Sequence, residues 1–321
     1  MDIKDRILMF LLENSNQNIS GEKIANVLYI SRTAVWKAIN KLKKLGHKID
    51  SNGNKGYHYK KTDIISEGGI RYYLNEKTIN IPIRYLDKID STNKIAKIEA
   101  PNNKNEKTIY VTANQSDGIG RFGRSFFGEK DGGIYLSIVL KPSKPLKNIP
   151  LITIKTAIAA KRVIDKVAKV DIKIKWVNDL FLSGKKVAGI LTEGITDYET
   201  MSVSTIIVGI GINFFMKEFP IELREIAGSI FEEKPKDITK NQLIGDFISE
   251  FFTIFDEEDN EKIIDEYKNA LFILGKKIMF TKNNKNYNGT ATDITKNGEL
   301  VVLLEDKKEI ILNSGEISIK I

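Results

Sequence analysis

Gln115-Ser-Asp-Gly118-Ile-Gly120-Arg121-Phe-Gly123-Arg124 places three glycines and two arginines in seven residues, between two segments that read as strands. Glycine lets a backbone take positive φ and approach a ligand closely. Arginine offers a permanently charged, planar fork that suits phosphate. Gly118-x-Gly120-x-x-Gly123 also spells the dinucleotide-binding fingerprint, and the fold turns on which reading holds. The fingerprint needs its last glycine to open a helix inside a βαβ unit. Here Arg124-Ser-Phe-Phe-Gly-Glu-Lys-Asp-Gly132-Gly133 follows with no helical period, and Ile134-Tyr-Leu-Ser-Ile-Val-Leu140 is strand-like in its β-branched and aromatic content. What remains is a loop between strands that closes over an anion such as a nucleotide, beside the plainer reading of a flexible surface loop.

A chain of 321 residues accommodates two or three domains. Its 41% hydrophobic and 29% charged residues are those of a globular protein. With no cysteine, disulfides and thiolate metal sites are excluded, and the expected compartment is the reducing cytoplasm. No apolar run approaches the roughly 20 residues of a membrane span, and the start, Met1-Asp-Ile-Lys-Asp, lacks the layout of a signal peptide. The net charge of +8 is uneven: residues 1–60 hold eleven Lys/Arg against five Asp/Glu. A basic terminal module points towards nucleic acid, although lysine is abundant throughout.

Ile3, Ile7, Leu8, Leu11 and Leu12 recur at helical spacing. Ser20 reads as the N-cap of a second helix whose Ile24, Val27 and Leu28 face one way. Ser31 caps a third, with Val35, Ile39 and Leu42 as its buried stripe. Two short helices across a tight connection read as a helix-turn-helix. The later helix then presents Arg32, Thr33, Trp36, Lys37 and Lys41 to a major groove. Trp36 stands between two readings, a contact residue or a core aromatic. His47 and Lys55 through Tyr59 flank Asn52-Gly53, a hairpin signal, so a basic wing carrying Lys55 follows. The plainer alternative is a small helical packing domain with a solvated lysine face. His47 and His58 are the only histidines and lie on opposite arms of this wing, which leaves no histidine metal site or Ser-His-Asp triad elsewhere.

From about residue 65 strands and helices alternate. Strands are expected at Ile81–Leu86, Lys107–Thr112, Ile172–Trp176, Lys186–Thr192 and Ser204–Ile212, and a helix from Ile152 to Val167. The links between the later strands are too short for crossover helices, so the sheet is antiparallel or mixed. Lys175-Trp176-Val177-Asn178-Asp179 ends one strand and Lys185-Lys186 begins the next, with Leu180–Gly184 as the hairpin loop. Asn178 and Lys186 then face one cleft, unless the lysine pair is only a solvated rim. Asn241 to Ala270 reads as helical. After Gly275, short strands with a turn at Asn297-Gly298 make a small barrel.

Gln115…Gly118-x-Gly120-Arg121-x-Gly123-Arg124, Lys175-Trp-x-Asn178-Asp179, Lys186-x-Ala-Gly189-Ile-Leu and Gly209-Ile-Gly211-Ile-Asn213 are similar, in order and spacing, to the motifs of biotin–protein ligases. With the winged helix in front, the chain resembles the bifunctional form, both ligase and biotin operon repressor. The resemblance implies an α+β protein in three parts: a winged helix-turn-helix over 1–62, a ligase domain with a mixed sheet over 63–272, and an SH3-like barrel over 273–321. It implies that ATP and biotin react to biotinyl-5′-adenylate with Mg2+ present. The biotinyl group then passes to a lysine of a biotin carboxyl carrier protein. Operator DNA and a ligand-promoted homodimer are the other implied partners.

By the same resemblance, Ser91, Thr92, Asn93 and Gln115 contact biotin, and Gly118, Ile119, Gly120 and Arg121 form the loop that orders over biotin and adenylate. Arg121 and Arg124 meet phosphate or carboxylate oxygens. Lys186 bridges the biotin carboxylate and the α-phosphate, and Gly189 lets its strand approach the ligand. Asn178 and Asn213 serve the nucleotide and its metal, with Asp179 as the metal-side carboxylate. Ser31, Arg32, Thr33, Trp36, Lys37 and Lys55 fall to DNA. The chain departs from the family pattern in carrying Ile119 for the loop's first arginine, Phe126 for a tryptophan and Val177 for a proline. Phe219 and Ile221 stand where some members stack adenine on tryptophan. Gly315-Glu-Ile resembles the family's terminal motif. Two related expectations stay open: a lipoate or octanoate type of acyl transfer, and a biotin-sensing repressor without catalysis.

Overall fold

The structure is a computed structural model that describes residues 1–15, 17–51, 53–141, 149–196, 202–282, 285–313 and 317–319. The chain forms two compact units, one of Met1–Tyr85 with Pro235–Ser249, the other of Leu86–Lys234 with Glu250–Ile321.

The first unit opens with α1 (Ile3–Glu13), β1 (Asn18–Ile19), α2 (Gly21–Leu28) and α3 (Arg32–Lys44). Ser20 Oγ accepts from Lys23 N and Ser31 Oγ from Ala34 N, both at 3.1 Å, so both expected N-caps satisfy an otherwise orphaned donor. Ile7, Leu8, Leu11, Ile24, Val35, Ile39 and Leu42 meet in one core. Val27 departs from expectation: it is 48% exposed, because the buried face is centred between Ile24, Ala25 and Leu28 and leaves Val27 beyond its edge. β2 (Lys48–Ser51) and β3 (Tyr57–Lys60) form the wing, with β1 on the far side of β3 in the order β1-β3-β2. The wing's connection is longer than a two-residue turn. Ser51 pairs with Tyr57, and Gly53–Lys55 make a short 3-10 turn; Asn52 lies outside the described residues. α4 (Glu67–Arg71) and β4 (Ile83–Tyr85) complete this stretch. The buried Asp5 carboxylate accepts from Gly68 N at 3.2 Å, tying α1 to α4.

The second unit carries α5 (Thr92–Glu99), β5 (Lys107–Thr112), the small hairpin β6 (Gly118–Ile119) and β7 (Ser125–Phe126), and β8 (Gly133–Leu140). Then come α6 (Ile149–Ala168), β9 (Lys173–Lys175), β10 (Asp179–Leu182), β11 (Lys185–Thr196) and β12 (Val203–Asn213). Within the unit the sheet runs β5-β8-β12-β11-β10-β9 through antiparallel ladders. The parallel pairings are single bridges, such as Ile89 with Gln115 and Lys186 with Ala227. β8 is buried along its whole length, as expected of its apolar run.

Two sequence expectations change here. Leu180 to Gly184 is a strand and a two-residue turn rather than a loop, with Ser183 at φ 50° and Gly184 at φ 80°, the left-handed pair that matches hairpin twist. The helical stretch after Asn241 is two helices, α7 (Lys240–Phe255) and α8 (Asn260–Ala270). The acidic run between them ends at Asp259, whose carboxylate accepts from Glu261 N and starts the second helix. α7 begins in the first unit and ends in the second. β13 (Lys277–Lys282), β14 (Lys285–Ile294), β15 (Leu300–Leu304), β16 (Glu309–Leu312) and β17 (Ile317–Ile319) form the C-terminal five-stranded sheet, ordered β16-β15-β14-β13-β17. Gly298 at φ +86° makes the expected turn; Gly315 and Glu316 lie outside the described residues.

Candidate active site

A cavity of about 600 Å³ opens on one face of the second unit's sheet. Its floor is a glycine row. Gly189 on β11 pairs with Gly211 on β12, which pairs with Tyr135 on β8; one step along, Leu191, Gly209 and Ser137 align the same way. Side chains at these glycines would collide with what lies above. A Cβ on Gly211 would stand 2.6 Å from the Phe126 ring, and one on Gly209 2.2 Å from Asn93 Oδ1. Phe126 thus folds from β7 onto the floor.

Lys186 reaches this face through an irregularity. In a regular strand Lys186 and Gly189, three apart, would point to opposite sides. The β10–β11 register shifts between Leu180 and Phe181, so Phe181 pairs with Lys186 while Leu180 pairs with Ala188. The extra residue buries Val187 and Ala188 together and leaves Lys186 and Gly189 both facing the cavity. The ammonium arches over Gly189, where a Cβ would stand 3.2 Å from Nζ, and ends 2.6 Å from Asp179 Oδ1. Its backbone is pinned on the other side: Lys186 N donates to Ile226 O and Gly228 N to Lys186 O, both at 2.9 Å.

The glycine-arginine loop meets the same group. Gly120 N donates to Arg124 O at 2.7 Å, closing a hairpin whose tip holds Phe122 and Gly123 at positive φ. Arg121 Nη1 donates to Asn178 Oδ1 at 3.2 Å, while Asn178 Nδ2 donates to Ile190 O at 2.9 Å. Adjacent residues Asn178 and Asp179 therefore hold Arg121 and Lys186, respectively.

Ser91, Thr92, Asn93, Gln115, Ile119, Gly120, Arg121, Arg124, Asn178, Asp179, Lys186, Gly189 and Asn213 all line the cavity. Gly118 stands behind them, its missing Cβ making room for Gln115 Nε2. Gln115 Oε1 accepts from Thr92 N at 2.9 Å. Asn93 is occupied by the protein itself: it accepts from Ser137 Oγ at 2.5 Å and donates to Glu193 Oε2 at 2.8 Å, fastening α5 to β8 and β11. Asn213 Nδ2 donates to Gly228 O at 2.9 Å, whereas its buried Oδ1 has no partner among the described residues. Phe219 lines the cavity beside Phe127, ring centroids 6.0 Å apart; Ile221 does not line it and is 79% exposed. Leu223, Glu225, Ile226 and Ala227, in a stretch with no periodicity to mark it, and Ile317 of β17 add to the wall.

The chain belongs to the bifunctional ligase/repressor family of biotin protein ligases. It is 37% identical over 244 residues to the bifunctional ligase/repressor BirA of Bacillus subtilis, which covers 75% of this chain and 74% of that protein. It is 25% identical over 300 residues to BirA of Escherichia coli, covering 92% and 91%. The model of the biotin/lipoate A/B protein ligase family matches residues 85–213, a helix-turn-helix domain model residues 4–58, and the biotin protein ligase C-terminal domain residues 273–320. Biotin protein ligase from Aquifex aeolicus, solved with biotin and ATP, superposes with a TM-score of 0.64 at 24% identity, covering 74% of this chain and 98% of that one, a likeness of fold. The glycine-arginine loop, the Lys175–Asp179 segment and Lys186 all lie within the stretch that the ligase family model matches.

In the first unit, Arg32, Thr33 and Trp36 of α3 face Ser51, Gly53, Gly56 and Tyr57 of the wing across a concavity of about 540 Å³. Trp36 is 58% exposed, which decides against the core reading. Lys37 and Lys55 are exposed and do not line this concavity, and Ser31 is engaged in capping. Asn40 lines it as well; its position one turn beyond Trp36 was the signal that marks it.

Proposed function

We propose that the cavity joins biotin to ATP and hands the biotinyl group to a lysine of a carrier protein, while the first unit binds operator DNA. The convergence of Lys186 and Arg121 on the Asn178–Asp179 pair carries the catalytic reading. These cations come from segments far apart in sequence and meet over a floor kept bare by glycine.

In the first step a biotin carboxylate oxygen bonds to the α-phosphorus of ATP and pyrophosphate leaves. Lys186 neutralises charge on the phosphoryl centre, an interaction stronger in the transition state than before it. Arg121 and Arg124 hold phosphate or carboxylate oxygens, and the hairpin that carries them covers the adenylate against water. Ser91, Thr92 and Gln115 orient biotin at the buried end. In the second step the carrier amine attacks the acyl carbon, loses a proton, and AMP departs. Magnesium suits the donors present: the Asp179 carboxylate and the unpartnered Asn213 Oδ1 both line the cavity, and this ion commonly takes one or two protein oxygens with phosphate. When bound it would neutralise phosphate charge. Among the described residues no cluster of three acidic or histidine ligands offers an all-protein site.

The DNA reading rests on α3 and the wing sharing one concave face. Arg32, Thr33, Trp36 and Lys37 enter the groove and Lys55 meets phosphate. Two such units on two half-sites require a homodimer. Gly132-Gly133-Ile134-Tyr135, next to the ligand loop, then couples adenylate to dimer and to DNA.

The test supplies ATP with either biotin or lipoate and follows pyrophosphate. Release with biotin alone is expected; release with lipoate instead overturns the assignment of substrate. Operator affinity measured at fixed salt with and without biotin and ATP tests the repressor arm, and an affinity indifferent to them removes it.

A further inference from the structure

The segment that holds both cations is itself held from outside the cavity. Trp176 and Val177 are buried between β9 and β10, immediately before Asn178 and Asp179. Trp176 Nε1 donates at 3.0 Å to Gly298 O, at the β14–β15 turn. Tyr267 Oη on α8 donates at 3.0 Å to Val177 O. Neither Gly298 nor Tyr267 lines the cavity.

Both contacts are tightly constrained. Gly298 has φ +86°, and a Cβ there would stand 2.3 Å from Ile154 Cδ1 on α6, so only glycine brings this carbonyl so close. Tyr267 is fully buried, and burial first, then the Asp179 charge, raises its pKa; Arg121 opposes. Its hydroxyl therefore stays a donor. Val177 O, buried with its residue, would otherwise be a carbonyl in want of a donor. After α8 the chain also crosses the β9 edge, where Phe272 N donates to Ile174 O at 3.3 Å.

We propose that Tyr267 and the Gly298 turn are positioning elements of the ligase reaction: they fix the backbone of Trp176–Val177 and, through Asn178 and Asp179, the aim of Arg121 and Lys186. The proposal rests on the ligase reading above. It gives the Gly298 turn of the C-terminal module, which does not line the cavity, a part in adenylate formation. Misplacement of reacting groups by about 1 Å costs on the order of 10²-fold in rate, so losing one of two restraints is expected to cost less.

The experiment uses the full chain and compares wild type, Tyr267→Phe, Trp176→Phe, Lys186→Ala and the double variant Tyr267→Phe/Lys186→Ala. Pyrophosphate release is followed with biotin and ATP, and biotin binding by calorimetry reports that each variant is folded. Tyr267→Phe and Trp176→Phe are each expected to lower kcat by about tenfold, with KM for ATP and biotin changed less than twofold. In the Lys186→Ala background, Tyr267→Phe is expected to cost clearly less than it does alone, because one of the two groups it aims is gone. A kcat within twofold of wild type, or a loss that adds fully to that of Lys186→Ala, overturns the proposal. If wild type itself releases no pyrophosphate, the ligase reading fails first, and the control separates that failure from the other.

Discussion

Lys186 Nζ and Asp179 Oδ1 stand 2.6 Å apart across the β10–β11 hairpin, and both residues line one cavity. The pair presets the ammonium at the floor. Truncating the lysine is expected to be selective. Lys186→Ala should lower biotin- and ATP-dependent pyrophosphate release by on the order of 10²-fold or more, with a smaller loss in biotin affinity. Undiminished release would remove Lys186 from the chemistry.

Arg121 links the hairpin lid to Asn178. Arg121→Gly should let biotinyl-adenylate escape before transfer. Lysine biotinylation of bystander proteins mixed with the enzyme is the readout. An adenylate retained as long as by wild type would contradict a covering role.

Gly209→Ala tests the floor. The new methyl would meet Asn93 Oδ1 at 2.2 Å, and Asn93 is anchored by Ser137 and Glu193. Such overpacking costs about 1–3 kcal/mol. A fall in Tm of roughly 2–10 °C is expected for a unit of this size. An unchanged Tm would show that α5 shifts freely.

His47 makes the first unit sensitive to acid. Burial lowers its pKa from the ordinary 6.5 to about 4, with Asp5 opposing and Lys4 assisting. The native state favours the neutral ring, so this contribution is complete above pH 6.5 and is lost as pH falls towards 4. The loss is about 3 kcal/mol at most. Urea unfolding followed through amide signals of residues 1–60 should show this slope, and His47→Gln should flatten it whatever else it does.

For DNA, Lys55→Ala should weaken operator and non-operator DNA alike and reduce the slope of log affinity against log salt by about 1. Trp36→Ala, on the side of α3 that faces the wing, should weaken operator binding more than non-specific binding. Equal losses would place Trp36 on the phosphate side.

Local chemistry made much of this legible. Ser20 and Ser31 cap helices because the residues themselves supply the acceptor, and Asn297-Gly298 turns because only glycine adopts its φ cheaply. The apolar spacing of Ile7, Leu11, Val35, Ile39 and Leu42 specified one core. The glycine-arginine loop was recognisable by the helix that does not follow it. Other features depend on register and distance, which no local pattern encodes. The wing's longer connection, the bulge that brings Lys186 to the same side as Gly189, and the wall from Leu223 to Ala227 are of this kind. So are the hydrogen bonds from Trp176 to Gly298 and Tyr267 to Val177, which span 122 and 90 residues. Residue types and their order determined which groups this protein has for its chemistry. Where the ammonium of Lys186 ends was decided only by the tertiary structure, because one extra residue in a ladder turns a side chain from the core to the cavity.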